Sequence, residues 1–338
     1  MSNPICLLIG ADDRRHVRSF FHCFSALSTV RFSIYQESKR GGRKVNQDRM
    51  GYCYTRDALL LVVCDGMGGH LNGEIAAQIS VQTIGALFQR DARPTLKDPR
   101  QFLEDAMLTA HIEIHRYRAG RGLPESPRTT AVACIVQRGV AYWAHAGDSR
   151  LYLLRDGAIH HVTRDHSQLE AMIQDGLLDQ RDRADYPERN RLFNCLGAPA
   201  MPLVELADPV RLLPGDHLLL CSDGLWGAVP DTIIASAFRS NSVMRVVPEL
   251  INYALMQAGA RADNVSAVGM TWESDTSPED ERAGASGRGA DAFTSTIQFP
   301  PQGKAAPDHS LSDDDIESAI ADIRKAIAAS HKGPPPKR

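Results

Sequence analysis

Residues 59–70 read LLLVVCDGMGGH, and this stretch decides the fold. Its first six residues form an unbroken apolar run, which predicts a β-strand that is buried on both faces. Asp65 stands where that strand ends, and two glycines then break the chain before a helix that the spacing of apolar residues predicts over residues 76–88. A single carboxylate at the end of a buried strand indicates a functional site at one end of a sheet.

Three further aspartates stand alone in short turns at strand boundaries. Asp48 precedes an apolar strand, Asp223 follows one, and Asp263 begins one. Carboxylates at the ends of buried strands can converge without being neighbours in sequence, but their like charges repel one another unless a cation lies between them. Ligation by oxygen atoms alone selects Mg²⁺ or Mn²⁺ over zinc. The pattern therefore indicates a hydrolytic site with hard metal ions.

Gly66 and Arg43 extend this interpretation. A glycine directly after Asp65 lets the backbone approach a ligand closely, so its carbonyl oxygen can be a further metal ligand. Arg43 lies shortly before Asp48, and a guanidinium there can hold a phosphate group by two hydrogen bonds. Two ions roughly 3.5–4 Å apart can share a bridging hydroxide that attacks phosphorus in line. These residues favour the hydrolysis of a phosphate ester.

Composition limits the other classes of function. The chain has 338 residues and a formal net charge of -3, which argues against a dedicated nucleic-acid binder. Apolar runs fall short of a membrane span, and residues 14–30 lack a convincing cleavage site for export. The seven cysteines include no C-x-x-C pair, so free thiols in a reducing cytoplasm are favoured over disulfides or structural zinc. We expect a cytoplasmic protein with neither nucleic acid nor membrane as a partner.

Changes in composition divide the chain into four parts. Residues 1–28 are an N-terminal extension of uncertain order, or they precede a later translation start. Residues 29–273 carry the periodic apolar patterns of a folded domain. Residues 274–309, rich in Ser, Thr, Gly, Pro and Asp, are expected to be a disordered linker. Residues 310–338 are expected to form an amphipathic tail helix and a Pro-rich basic C-terminus; the helix packs on its own domain or docks a partner.

Within the folded domain, many strands are joined by short turns. This arrangement predicts mainly antiparallel sheets with helices packed outside them. The charge-dense residues 180–191 are expected to form an exposed loop. Strands are predicted at 30–35, 49–54, 58–65, 130–137, 140–146, 151–155, 158–162, 204–206, 208–212, 216–221 and 264–271, and helices at 76–88, 99–118, 168–175, 231–238 and 243–258.

The motifs stand in an order that resembles the metal-dependent protein phosphatases, the PPM or type 2C serine/threonine phosphatases, in their bacterial form. The resemblance covers about residues 30–272. The most specific motifs are DGMGGH at 65–70 together with GDSR at 147–150. The others are GRKVNQD at 42–48, TT at 129–130, TRDHS at 163–167, SDGL at 222–225 and DNVS at 263–266.

The resemblance implies an α+β fold: a four-layer α-β-β-α sandwich of two central, mainly antiparallel sheets flanked by helices. Residues 29–273 would be its catalytic domain, with the metal ions at one end of the sandwich. Residues 168–195 would correspond to the mobile flap beside the site. The implied activity is hydrolysis of phosphoserine and phosphothreonine in proteins by a hydroxide that two metal ions activate.

The resemblance also assigns roles to the site residues. Asp65 would bridge two Mn²⁺ or Mg²⁺ ions, with a carbonyl ligand from Gly66. Asp223 and Asp263 would complete the shell of one ion, and Asp48 would support the other directly or through water. Two further matches follow: Asp148, with Asp223, resembles the ligand of a weaker third ion, and Arg43 resembles the phosphate-binding arginine.

Three positions depart from the family pattern. Gln47 stands where an acid usually precedes the first metal aspartate, and Arg128 replaces a glycine before the Thr-Thr pair. Met67 occupies the position of a histidine that is proposed as the leaving-group acid in animal members. Because methionine cannot donate a proton, His70 or a metal-bound water is the candidate acid here.

Three readings of the function follow from these observations. The first is a phosphatase that reverses a bacterial Ser/Thr kinase, with phosphorylated proteins, that kinase and its targets as partners. The second keeps the chemistry but places the enzyme in a partner-switching pathway, acting on a phosphorylated anti-sigma antagonist. The third is a catalytically inactive binding module with the same fold; Gln47 and Arg128 favour it, and the retained acids argue against it.

Overall fold

Two antiparallel sheets form the centre of the molecule. The computed structural model describes residues 30–67, 72–179, 186, 191–239, 241–275 and 294–297. One sheet has the strand order β1-β11-β10-β6-β7, and the other has the order β12-β2-β3-β4-β5-β8, with β9 pairing the other end of β5. The strands are β1 Val30–Lys39, β2 Arg49–Tyr54, β3 Ala58–Cys64, β4 Ala131–Gln137, β5 Val140–Ala146, β6 Arg150–Arg155, β7 Ala158–Val162, β8 Glu205–Leu206, β9 Val210–Arg211, β10 His217–Cys221, β11 Val265–Asp275 and β12 Thr294–Ser295.

Helices cover the outer face of each sheet. In the longest of them, α2, the Asp98 side chain accepts hydrogen bonds from two backbone amides of the first turn, Pro99 follows, and Gly122 ends the helix in the left-handed conformation. These are the residue types that begin and end helices. The helices are α1 Gly73–Asp91, α2 Pro99–Arg121, α3 Gln168–Gln174, α4 Asp223–Trp226, α5 Asp231–Ala237 and α6 Val243–Ala258.

The buried residues fall into three layers of core. Along β3, Leu59, Leu61 and Val63 face the other sheet, where they pack with residues of β6, β10 and β11. The alternate residues of β3 face α1 and α2. The outer face of the sheet that contains β6, β10 and β11 packs against α4, α5 and α6. A strand with apolar residues on both faces is what this position requires. The predicted four-layer α-β-β-α sandwich is confirmed.

The register of the strands brings their functional ends together. Arg49 at the start of β2 pairs with Cys64 at the end of β3. In the other sheet, Cys221 at the end of β10 pairs with both Arg150 at the start of β6 and Ala267 near the start of β11. In antiparallel pairs, the residue after one strand lies beside the residue before its neighbour. The loops that precede β2, β6 and β11 and follow β3 and β10 therefore meet at one end of the sandwich.

The structure differs from the predicted elements in three places. The strands predicted at 204–206 and 208–212 shrink to two-residue pieces, β8 and β9, which both pair with β5. The one-turn helix α4 begins at Asp223, directly where a strand end was predicted. The disordered linker predicted over 274–309 is wrong at two points: β11 continues to Asp275, and residues 294–295 pair with β2.

Candidate metal centre

The acidic residues predicted from the sequence line one cavity at this end of the sandwich. The cavity has a volume of ≈ 530 Å³. Asp65, Asp148, Asp223 and Asp263 all line it, together with Gly66, Met67, Thr130, Leu192, Asn264 and residues 43–45 and 47 of the loop between β1 and β2. Asp48 lies beneath it and is only 3% exposed.

Asp48 is buried beside the side chains of Ser222 and Ser266. Its Oδ2 accepts a hydrogen bond of 2.8 Å from Ser222 Oγ, and its backbone amide donates to Asn46 Oδ1 at 3.1 Å. Its Oδ1 is fully buried and has no hydrogen-bond partner among the described residues. Burial raises the pKa of this carboxyl group. A buried carboxylate oxygen without a donor is costly, so Oδ1 is suited to a cation.

Asp65 lies at the centre of the acids, on a backbone fixed by β4. Its amide donates to Thr130 Oγ1 at 3.0 Å, and its carbonyl accepts from the Thr130 amide and from Thr129 Oγ1 at 2.9 and 2.8 Å. Desolvation raises the pKa of the Asp65 carboxyl group well above its usual value, and repulsion from Asp48 and Asp223 adds to the rise. The carboxylate is therefore surrounded by like charge that a cation would neutralise.

Gly66 is required by the close approach of other backbone segments. A Cβ atom at this position would lie 2.4 Å from the carbonyl group of Gly73 and 2.8 Å from the carbonyl oxygen of Gln47. The Gly66 amide donates to that same Gln47 oxygen at 3.3 Å. Any side chain here would push the start of α1 away from the cavity. Its position after Asp65 predicts close approach of a ligand, but the packing against Gly73 and Gln47 depends on segments that are distant in sequence.

Asp223 and Asp263 lie at the end of the other sheet, after β10 and before β11. Burial and the neighbouring charges of Asp263 and Asp48 raise the pKa of Asp223 to about 7. Asp263 Oδ1 accepts from the Asn264 amide at 2.8 Å, and its Oδ2 lies 2.6 Å from Nη2 of Arg43. The side chain of Arg43 is 57% exposed, so it lies at the rim of the cavity with part of its surface open to a ligand.

Asp148 enters the cavity from the loop before β6 and is 6% exposed. Burial raises the pKa of its carboxyl group well above the usual value, and the charge of Asp223 adds to the rise. The next residue, Ser149, shares a hydrogen bond of 2.7 Å with Thr130 Oγ1. The carbonyl oxygen of Asp148 accepts from Trp226 Nε1 at 2.9 Å.

Two polar residues that the sequence analysis did not single out shape the loop that carries Arg43. Asn264 Oδ1 accepts from the Gln47 amide at 2.8 Å, and its Nδ2 donates to the carbonyls of Arg40 and Val45 at 2.8 and 3.1 Å. Ser222 Oγ donates to Asp48 and also accepts a hydrogen bond from the backbone amide of Ser266 in β11. An Asn beside an aspartate in a turn is a weak signal alone, because its long-range partners cannot be read from spacing.

The three departures from the family pattern have distinct structural consequences. The side chain of Gln47 reaches the first turn of α1, where its Nε2 donates to Glu74 Oε2 at 3.2 Å. Arg128 has no left-handed backbone, so replacement of a glycine costs no strain there, and its carbonyl accepts from the Met67 amide at 3.0 Å. Met67 lines the cavity. His70, the predicted acid, lies outside the described residues.

A second group of potential ligands lies on the far side of the Asp148 loop: His145, His166 and Glu205. His166 Nδ1 accepts hydrogen bonds from the Gly147 amide and from Asn194 Nδ2, so the ring proton is on Nε2, which donates to Glu205 at 3.1 Å. A neutral imidazole binds a metal through an unprotonated nitrogen. This group therefore supports the loop, and it is not part of the metal centre that we assign.

The residues at the cavity fit two or more hard divalent cations. Several carboxylates of raised pKa face one space, one buried oxygen lacks a donor, and oxygen is the ligand atom throughout. These properties suit Mg²⁺ or Mn²⁺. Beside them, an exposed arginine is placed to hold an anion. Together, a four-layer sandwich and an acid cluster with a guanidinium at its rim define a metal-dependent phosphoester hydrolase.

Comparison with known proteins assigns the family. Residues 36–254 match the family model described as Protein phosphatase 2C, which is more than half of the chain. The chain belongs to the protein phosphatase 2C family. Among the described residues no helix is both long and apolar enough to cross a membrane.

Relatives and solved structures agree with this assignment. The chain is 30% identical over 204 residues to the serine/threonine phosphatase stp of Listeria monocytogenes, which covers 60% of this chain and 81% of that protein. The crystal structure of the serine/threonine phosphatase PstP/Ppp of Mycobacterium tuberculosis superposes with a TM-score of 0.64 at 30% identity, covering 72% of this chain and 99% of the other. The catalytic domain of PstP in complex with two manganese ions has a TM-score of 0.62 at 28% identity, with coverages of 72% and 99%.

Proposed function

We propose that this chain is a protein serine/threonine phosphatase that requires Mn²⁺ or Mg²⁺ and acts on phosphorylated proteins. The observation that carries the proposal is the convergence of Asp48, Asp65, Asp223 and Asp263 at one end of the sandwich, next to Arg43. Family membership and relatives named as serine/threonine phosphatases support it. Bound metal ions would supply a nucleophilic hydroxide at neutral pH and neutralise charge on phosphate.

The acidic residues of the cavity would bind the metal ions at different positions. Asp65 is placed to bridge two ions because it lies between Asp48 and Asp223, whose charges both raise its pKa. Asp263 and Asp223 would be ligands of the same ion, and the Gly66 carbonyl would be a further ligand. Asp148 and Asp223 would hold a weaker third ion, since they lie close enough for the charge of Asp223 to raise the pKa of Asp148.

Arg43 is the proposed phosphate-binding residue. Its guanidinium at the rim can donate two parallel hydrogen bonds to a phosphate monoester and orient the phosphorus toward the acids. His70 remains our proposal for the group that gives a proton to the departing serine or threonine oxygen, with water as the alternative. Val45 and Leu192 line the same cavity, so they are apolar residues that the substrate would contact.

The partners follow from the chemistry. Phosphorylated proteins are the substrates, and we propose that a Ser/Thr kinase of the same cell and its targets are among them, in the cytoplasm. The five described cysteines are free and buried, in keeping with a reducing compartment.

The tail helix of residues 310–338 lies outside the described residues. Its proposed docking to a partner is tested by deleting residues 298–338, which should remove pull-down partners while peptide hydrolysis is unchanged.

Hydrolysis of a phosphothreonine peptide tests the proposed function directly. We expect phosphate release with Mn²⁺, none with EDTA, and a loss of at least ~10³-fold in Asp65→Asn, since that carboxylate would touch both ions. Asp57→Asn is a matched control, because Asp57 lies in the turn at the opposite end of the β2–β3 hairpin. Normal activity in Asp65→Asn would refute the metal assignment. No phosphate release from the folded wild type with any divalent metal would favour the inactive binding module.

A further inference from the structure

Trp226 connects two of the cavity's acids. It is the last residue of the one-turn helix α4, and Asp223 is the first. Its indole Nε1 donates to the backbone carbonyl of Asp148 at 2.9 Å. One side chain therefore joins the helix that presents Asp223 to the loop that presents Asp148.

The indole ring is itself fixed by a buried ion pair. The guanidinium carbon of Arg150 lies 3.7 Å from the centroid of the Trp226 ring, within the range of a cation–π contact. Arg150 donates two hydrogen bonds, of 2.7 and 2.8 Å, to the carboxylate of Asp165, and a third of 3.1 Å to Tyr152 OH. Because the guanidinium is anchored in this way, the ring above it has little freedom to rotate.

Asp148 is thus held between two fixed points. On one side Ser149 bonds to Thr130 Oγ1, the same oxygen that accepts from the Asp65 amide. On the other side the Asp148 carbonyl is bound by Trp226. The Asp148 side chain therefore projects from a backbone whose own carbonyl is tied to the Asp223 helix and whose next residue is tied to the Asp65 turn.

We infer that Trp226 is a positioning residue that sets the affinity of the weaker metal position between Asp148 and Asp223. The inference rests on the proposed function, because it assumes that these acids bind metal. Trp226 acts through the backbone of Asp148 and would touch neither metal nor substrate. Loss of such a supporting contact typically weakens metal affinity by roughly 10–100-fold. The indole donates to Asp148 and not to Asp65, so binding of the two ions that Asp65 would hold should change little.

The chain offers a matched control. Trp226→Phe keeps an aromatic ring over Arg150 and removes the N–H donor. Trp143 is another buried tryptophan, on β5 in the core between the sheets, and its Nε1 has no acceptor among the described residues. Trp143→Phe therefore removes an indole N–H without removing a hydrogen bond, and Asp148→Asn defines the behaviour of a protein that lacks the weaker position.

The test is calorimetric titration of chelator-treated full-length proteins with Mn²⁺, together with the Mn²⁺ dependence of phosphopeptide hydrolysis. We expect Trp226→Phe to weaken the weakest binding step about tenfold while the tight steps and kcat at saturating Mn²⁺ stay near wild type. Trp143→Phe should titrate like the wild type. The double variant of Trp226→Phe with Asp148→Asn should match Asp148→Asn alone, since one ion accounts for both effects.

Two results would overturn the inference. One is a Trp226→Phe titration that superimposes on the wild type; the other is an equal weakening of every step, which indicates a general structural role. A failure of the proposed function looks different, because the wild type itself would then bind no Mn²⁺, and that result would overturn both.

Discussion

Arg43 Nη2 and Asp263 Oδ2 lie 2.6 Å apart, so the cation at the rim of the cavity is joined directly to one of its acids. Hydrogen bonding to Asp263 raises the pKa of the guanidinium, and the charges of Asp223 and Asp65 act in the same direction. The position of the phosphate-binding group is thereby set by the residues that would hold the metal.

Replacing Arg43 should chiefly weaken substrate binding. We expect Arg43→Ala to raise the KM for a phosphothreonine peptide about 10–100-fold, the equivalent of one or two charged hydrogen bonds. Arg43→Lys should recover only part of the loss, since an ammonium group cannot make the two parallel bonds. Steady-state kinetics at saturating Mn²⁺ measure both effects.

Arg56→Ala is the appropriate control for that experiment. Arg56 is similarly exposed and pairs with a neighbouring aspartate, but it lies in the β2–β3 turn at the other end of the sheet. Unchanged KM in Arg43→Ala, or an equal rise in Arg56→Ala, would contradict the assignment of Arg43 to the phosphate.

Gln47 gives a prediction about stability. Its side chain donates to Glu74 at 3.2 Å, so restoring the acid of the family pattern would place two carboxylates side by side. We expect Gln47→Glu to lower the free energy of unfolding by about 1–2 kcal/mol, through loss of the bond and like-charge repulsion. The double variant, Gln47→Glu with Glu74→Gln, should recover most of the lost free energy of unfolding. Urea unfolding of the three proteins with EDTA is the measurement, and a Gln47→Glu protein as stable as the wild type would show that the contact is unimportant.

The parts of this structure that the sequence predicts are those determined by local pattern. The apolar run that ends at Cys64 has the length and composition of a strand covered on both faces. Its length, with the glycines that follow Asp65, predicts both the layer that the strand occupies and the end at which the acid lies. The strands predicted at 151–155 and 158–162 leave only two residues between them, and these form a tight turn: Asp156 and Gly157 have positive φ angles of 53° and 73°.

The contacts that organise the cavity are not predictable in the same way. Ser222 bonds to Asp48 over a separation of 174 residues, and Asn264 reaches the Gln47 amide over 217. Such pairs depend on the register of strands from different sheets, which no local period encodes. The indole bond of Trp226 to Asp148 is of the same kind, and so it was missed although both residues stand in or beside recognised motifs.

The segment at residues 294–297 was missed for another reason. Averaging composition over a long polar stretch hides the two-residue strand β12, whose stability comes from its partner. Thr296 exchanges hydrogen bonds with the backbone of Tyr52, and Ile297 is 5% exposed. Ile297 packs directly on Gly51, where a Cβ atom would lie 2.7 Å from its Cγ1. Gly51 thus gives the segment its place on the edge of β2.

Changing either partner should detach this strand without unfolding the domain. We expect Ile297→Asp and Gly51→Val each to speed hydrogen exchange of the Tyr52 amide at least about tenfold, since that amide donates to Thr296 Oγ1 at 3.0 Å. Phosphatase activity should fall less than twofold. Met256→Ala, at a residue 75% exposed on α6, is the control. Exchange at Tyr52 that stays at the wild-type rate in both variants would mean that the strand does not protect β2.

The acids of the cavity should destabilise the protein when metal is withheld. Burial and neighbouring charges raise the pKa of Asp223 from 3.8 to about 7. Between these two values the folded state retains a proton that the unfolded state has lost, so the free energy of unfolding falls as pH rises. Asp223→Asn has no such proton to lose. With EDTA, we expect it to match the wild type near pH 4 and to be more stable by roughly 2–4 kcal/mol at pH 8.

Comparing the two proteins isolates this carboxyl group from the opposing effect of buried histidines. Burial lowers the pKa of His111 and His145 to about 4, which favours folding as pH rises through the range up to 6.5, but both residues are present in both proteins. Saturating Mn²⁺ should make the wild type the more stable of the two proteins at pH 8, because only the wild type keeps the full set of metal ligands. Urea unfolding at pH 4, 6 and 8 tests both statements. A difference between the proteins that does not vary with pH would mean that Asp223 is already ionised in the folded protein at low pH.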